Sequence, residues 1–231
     1  REVPTYKEGD IAQQDIAASV EFEYLDVAAM ERRRLEITEE VHPVYQFDLA
    51  KSSNIQQRIS LAFQDARKLL AEESPDLNSD LTEALVEKIN GQFVAQTGIE
   101  LDRQERTMLA SLRWSIQVEQ MTLRLIDTSM QSFIIDTASA IPKENESYDV
   151  VRIFLDRQDQ ITLNAPRNIK TFDEAKQFVS VLASNVRGAS EQVRDIGVSI
   201  ARSALQVNFT YDYSRTQQYT QRKIDSIKPV I

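Results

Sequence analysis

The sequence predicts an α+β fold in which helix predominates, with a helical block inserted in a small mixed subdomain built from the two chain ends and carrying one β-hairpin. Three observations carry this expectation. Between about 48 and 140, apolar residues recur at helical spacing and the segments are separated by capping motifs. Near the two ends stand short alternating segments with two aromatics each, Val20–Tyr24 and Val207–Tyr211, which read as half-buried strands. Residues 149–163 hold two strand-like runs on either side of the polar break 156–160, the pattern of a hairpin.

The two end segments belong to longer units of the same layout. Each strand runs into an aspartate (Asp26, Asp212) and a charged helical stretch, then closes on Val41-His42-Pro43-Val44 or Ile227-Lys228-Pro229-Val230. A unit used twice predicts that the termini share the mixed subdomain, about 1–47 plus 141–231. The helical subdomain then spans about 48–140.

Within it, Asp48 can cap a helix to about Glu73, with Ile55, Ile59, Ala62, Phe63, Ala66, Leu69 and Leu70 on one stripe. Ser74-Pro75 stops it, because the residue before proline is pushed out of helical geometry. A second helix is expected near Ser79 or Asp80, where Glu83 completes capping-box spacing, and Gly98 suits its left-handed stop. A short third helix follows Asp102, with Glu105 three residues on. A long one from about Trp114 to Ala138 has apolar residues spread around its axis, as a central buried helix does. Thr171 and Glu174 form another capping box, opening a helix to about Arg187 with Gly188 as its stop. A last helix from about Ser190 to Leu205 leads into the second end strand.

Composition narrows the chemistry. The 231 residues carry 36 acidic and 27 basic side chains, a net charge of −9. That balance argues against nucleic acid as a partner, since phosphate binding needs an excess of cations. With no cysteine there are no disulfides, thiol nucleophiles or cysteine zinc sites. The single histidine, His42, cannot furnish a centre that needs two imidazoles. The five glycines stand apart, and no phosphate-cradling loop is present. No run approaches the roughly 18 apolar residues of a membrane span. The chain begins at Arg1, without a signal-peptide core or a Met, and reads as an excised fragment or a processed product.

The remaining constellations have plain structural readings. His42, beside Pro43 after a glutamate-rich helix, reads as a helix-end or surface residue. Carboxylate metal ligands would have to come from Asp156 and Asp159 in the hairpin or Glu39 and Glu40 on a helix, and neither set has a calcium-loop pattern. Arg32, Arg33 and Arg34 are surrounded by glutamates, the pattern of a salt-bridged, solvated helix face. Trp114 reads as core. Asn145-Glu-Ser147 and Asn208-Phe-Thr210 match the glycosylation sequon.

Taken in order, several of these residues resemble landmarks of a known family. Gly9-Asp10-Ile11, Asp15, Phe22, Asp26, the arginine-rich helix, and Pro43 with Tyr45 are similar to the opening of the extracytoplasmic domain of seven-transmembrane HD phosphohydrolases. Ile141-Pro142, Phe209, Thr216 and Pro229 resemble its later landmarks. Two positions depart from the family pattern. Ala18-Ser19 stands where Ala-Pro is common and Met30 where Thr is common, although the second unit keeps Thr216.

The resemblance implies a single extracytoplasmic domain over 1–231, outside the bacterial cytoplasmic membrane and tethered to it at both ends. It implies an N-terminal membrane helix, six further spans, and a cytoplasmic HD domain that hydrolyses cyclic di-AMP at a metal centre. This chain is then a non-catalytic sensor with no cofactor of its own, and the landmark residues Gly9, Asp15, Phe22, Asp26, Pro43, Tyr45, Phe209, Thr216 and Pro229 are structural. Its partner would be an envelope ligand or protein, and homo-oligomers are admissible. Two rival readings stand beside it: a structural or dimerisation module without a pocket, and a hydrolase using a carboxylate pair in an acidic cleft.

Overall fold

The computed structural model of the protein describes residues 9–11, 26–76, 80–137, 147–164 and 168–227. The chain divides into two units, residues 1–41 with 219–231, and residues 42–218. Among the described residues there are eight helices and six strands, and helix predominates.

In the first unit, α1 (Val27–Glu40) starts where the Asp26 carboxylate accepts the Ala29 amide at 2.9 Å. Its arginines meet its own glutamates, Arg33 with Glu36 at 2.9 Å and Glu40 at 3.2 Å, and Arg34 with Glu31 at 3.4 Å. This is the solvated, salt-bridged face that the sequence predicts; Ile37 is its buried residue. The expected strand at 20–24 lies outside the described residues, as do Asp15, Phe22, Asn145, Pro229 and the Ile141-Pro142 landmark.

The second unit holds a four-stranded sheet in the order β4-β3-β1-β6, made of β1 (Val44–Asp48), β3 (Ser147–Ile153), β4 (Gln158–Asn164) and β6 (Phe209–Tyr211). β1 and β3 are parallel, so the chain must cross over between them, and four of the eight described helices lie in that crossover. β3 and β4 form the expected antiparallel hairpin, and β6 lies antiparallel on the other side of β1. A second sheet pairs β2 (Phe133–Ile135) with β5 (Ile169–Thr171) in parallel.

The helices are α2 (Ala50–Glu73), α3 (Glu83–Thr97), α4 (Arg103–Ser111), α5 (Ile116–Met130), α6 (Phe172–Ser184), α7 (Glu191–Ala204) and α8 (Tyr213–Asp225). α2 buries the expected stripe, with Leu69 half-buried at its edge, and ends at Ser74. It starts one residue later than expected because Asp48 closes β1, yet the Asp48 carboxylate still accepts the Lys51 amide at 3.2 Å. The α3 cap is Thr82, not Asp80: its hydroxyl takes the Leu85 amide, the first buried residue of the helix, at 3.3 Å. Gly98 closes α3 at φ 73°, and Asp102 with Glu105 forms the expected capping box.

Two helix ends differ more. α5 stops at Met130 instead of Ala138, because Phe133-Ile134-Ile135 is a β-forming run whose backbone is taken by β5. α6 stops at Ser184, where the Ser184 and Asn185 side chains both donate to the Val181 carbonyl and compete with the helix. Gly188 adopts φ 84° in the connection, four residues beyond the helix end.

One continuous apolar core unites α2 to α7, so the helical packing extends from residue 50 through 204. α5 is central in it and packs against α2, α6 and α7. Gly197 sets the α5–α7 approach: a Cβ there would lie 2.8 Å from Cγ of Met121 and 3.3 Å from its Cβ. Gly197→Val is therefore expected to cost about 1–3 kcal/mol through overpacking. Urea unfolding checks this; an unchanged midpoint would show that the α5–α7 contact is loose.

Candidate functional site

The described landmark residues fall in both units. In the first unit, Gly9 is exposed at φ 94° and Asp26 caps α1. In the second unit, Pro43, Tyr45, Phe209 and Thr216 converge on β1 and β6.

The alternation of β1 sends Tyr45 and Phe47 to one face of the sheet, and β6 places Tyr211 and Phe209 opposite them. Tyr45 stacks on Phe209 with centroids 4.9 Å apart, and Phe209 stacks in turn on Phe133 of β2 at 4.5 Å. Tyr148 and Phe47 complete the packing edge-on. Pro43 ends the approach to β1, and its carbonyl accepts the Asp149 amide at 2.9 Å. Thr216, on α8, donates to the Asp212 carbonyl at 2.8 Å and accepts the amide of fully buried Val44 at 2.9 Å.

Asp212 caps α8 as Asp26 caps α1, accepting the Arg215 amide at 2.9 Å. Its other oxygen takes the Gln46 side-chain amide at 2.6 Å, with Nε of Arg215 at 3.5 Å. Burial pushes the Asp212 carboxyl up, but the Arg215 amide, the Gln46 amide, the Arg215 charge and the Ser214 amide outweigh it and hold it below the usual carboxylate range. A depressed folded pKa means that the stabilisation is complete above the unfolded value, about 3.9, and is lost as pH falls through the lower folded one. Wild-type protein is thus expected to lose its advantage over Asp212→Asn as pH drops from about 5 towards 2. Urea midpoints for both across that range measure this, and a constant difference would contradict it.

His42 is 45% exposed in its side chain and sits 3.7 Å from Asp149, whose oxygens also accept Thr162 and Gln160. Asp159 is held by Arg152 through two 2.7 Å bonds across the hairpin. Among the described residues, no group of three His, Asp or Glu side chains is gathered as a metal would need.

Two residues that the sequence did not single out for these roles organise the interior. Asn208, in an apparent sequon, is 1% exposed and takes the Ile134 amide at 2.7 Å while donating to the carbonyls of Met130 and Ser132. That engagement leaves no room for a glycan. Glu119 of α5, 7% exposed, accepts Ser60 at 2.7 Å and Arg67 at 2.6 Å from α2. Both would read from sequence as surface residues, and only the pairing across elements reveals them.

The helical core carries open grooves. One of about 540 Å³ runs between α4 and α7 beside Arg103, Gln104, Thr107, Met108 and Gln192. Another of about 370 Å³ between α2 and α3 mixes Asp65, Lys68 and Glu72, with Asp65 accepting Gln96 at 2.7 Å. A third, of about 340 Å³, lies between α5 and the α6–α7 connection and has Arg124 and Arg187 in its wall.

The family model described as 7TM-HD extracellular matches residues 7–231. No curated protein and no solved structure matches the chain. Among the described residues, no helix is long and apolar enough to cross a membrane. With a model matched over nearly its whole length, the chain belongs to the family of extracellular domains of 7TM-HD proteins.

Proposed function

We propose that this chain is the non-catalytic sensory domain of a membrane-bound HD-type phosphodiesterase that hydrolyses cyclic di-AMP in the cytoplasm. The family match over residues 7–231 carries this reading. The sequence supports the non-catalytic part: one histidine cannot supply the paired imidazoles of an HD metal centre. The described landmark residues support it too, since Asp26, Tyr45, Phe209 and Thr216 cap helices, stack or hold backbone groups. The domain acts by binding an envelope ligand or protein more tightly in one arrangement of the receptor than in another, because only a differential affinity shifts such an equilibrium.

The test compares two proteins with cyclic di-AMP and a divalent metal. The 231-residue chain is expected to leave the dinucleotide intact, and the full-length protein in membranes to hydrolyse it. Hydrolysis by the 231-residue chain alone would overturn the assignment.

A further inference from the structure

We infer that the groove between α5 and the α6–α7 connection binds a small organic oxyanion, a carboxylate or phosphate group on a short apolar body. Four α5 positions, 117, 120, 121 and 124, line it at helical spacing, so one face of the central helix forms its wall. The floor is apolar, from buried Met121 and Val193. The rim brings Arg124 together with Arg187, alongside the amides of Gln117 and Gln120.

Charge makes this groove unlike its surroundings. The chain is acidic by nine charges, yet no carboxylate lines the groove and two guanidinium groups do. Neither Arg124 nor Arg187 makes a hydrogen bond or ion pair among the described residues, as is also true of the Arg58 and Arg103 side chains, whereas Arg67, Arg106, Arg152 and Arg215 are paired with acids; what is particular here is that two such guanidinium groups line one groove. Arginine forks match the oxygens of carboxylate and phosphate groups. An apolar floor with a few converging donors is the usual make-up of a small-molecule site, and 340 Å³ lies at the small end of the range. At about 30 Å³ per water-sized group, it accommodates roughly ten non-hydrogen atoms.

The occupant would meet Met121 directly, the same side chain that packs against Gly197 of α7. The site therefore deepens the sensory reading and rests on it for its purpose, while its binding is measurable without it.

Calorimetric titration of the 231-residue chain with phenyl phosphate and with benzoate tests the site, with benzyl alcohol as the neutral probe. At least one anion is expected to bind saturably and the alcohol not, with Arg124→Gln and Arg187→Gln each weakening the anion about tenfold or more. Both arginines are exposed and unpaired, so both variants are expected to keep the wild-type melting temperature, and Arg58→Gln on α2 serves as the charge control. Vesicles containing phosphatidylglycerol provide a second arm. Retention on them that is lost in both groove variants would assign the anion to a lipid headgroup and support the site. Absence of binding in both arms overturns the inference, as does binding that survives both groove substitutions or is matched by benzyl alcohol. Binding without any effect on full-length hydrolysis would instead retain the site and count against the sensory reading.

Discussion

Replacing Asn208 by alanine is expected to lower the stability of the domain by about 3–4 kcal/mol, among the largest single effects in the chain. The side chain bonds three backbone groups of the segment from α5 to β2, and all three bonds are buried. Losing them strands the Ile134 amide and leaves two carbonyls short of a donor, at about 1–3 kcal/mol for each unsatisfied buried group, less whatever entering water restores. In a domain of this size a loss of 3–4 kcal/mol corresponds to a fall of about 10 °C in Tm. Asn208→Asp separates hydrogen bonding from packing. It keeps the shape but removes both donors and sets a carboxylate against two carbonyl oxygens, so it is expected to be no better than alanine. An aspartate variant of near wild-type Tm would show that Asn208 acts by filling space.

Trp114→Ala is expected to cost about 3–5 kcal/mol, the range for truncating a fully buried aromatic residue. The ring is 0% exposed in the middle of the helical core. Its backbone is committed as well, at φ 47° directly after Arg113 at φ 47°. The Trp114 amide donates to Leu109 at 3.1 Å, and its carbonyl accepts Arg67 at 3.1 Å. The indole Nε1 finds no acceptor among the described residues. Trp114→Phe removes that stranded donor while keeping most of the volume, and is expected to cost under about 1.5 kcal/mol. Denaturant unfolding followed by circular dichroism measures both variants. Equal costs for alanine and phenylalanine would mean that the indole nitrogen, not the ring volume, holds the turn. As the sole tryptophan, Trp114 also gives wild-type protein a blue-shifted emission that moves red when the core opens.

Much of this fold was legible because local signals and tertiary structure agree. The α2 stripe, the Asp102–Glu105 and Thr171–Glu174 boxes, the Gly98 stop and the β3–β4 hairpin all follow from side chains acting within a few residues of themselves. The misses share another cause. Phe133-Ile134-Ile135 reads as part of a helix because its apolar pattern fits either state over three residues, and its strand partner stands 36 residues away in sequence at Ile169. Asn208 and Glu119 carry polar side chains whose burial depends on partners on other elements. The landmark residues could be named from their order along the chain, whereas the arginine-lined groove is assembled from α5 and a connection some sixty residues on, and no local pattern marks it.

The sensory assignment is tested most directly by measuring cyclic di-AMP hydrolysis by the full-length protein in membranes, with this domain intact and with it replaced by a flexible linker. Under the proposed sensory role, hydrolysis survives the replacement while its rate shifts several-fold and stops responding to groove ligands. Equal rates with and without the domain, under every ligand condition tried, would contradict a sensory role.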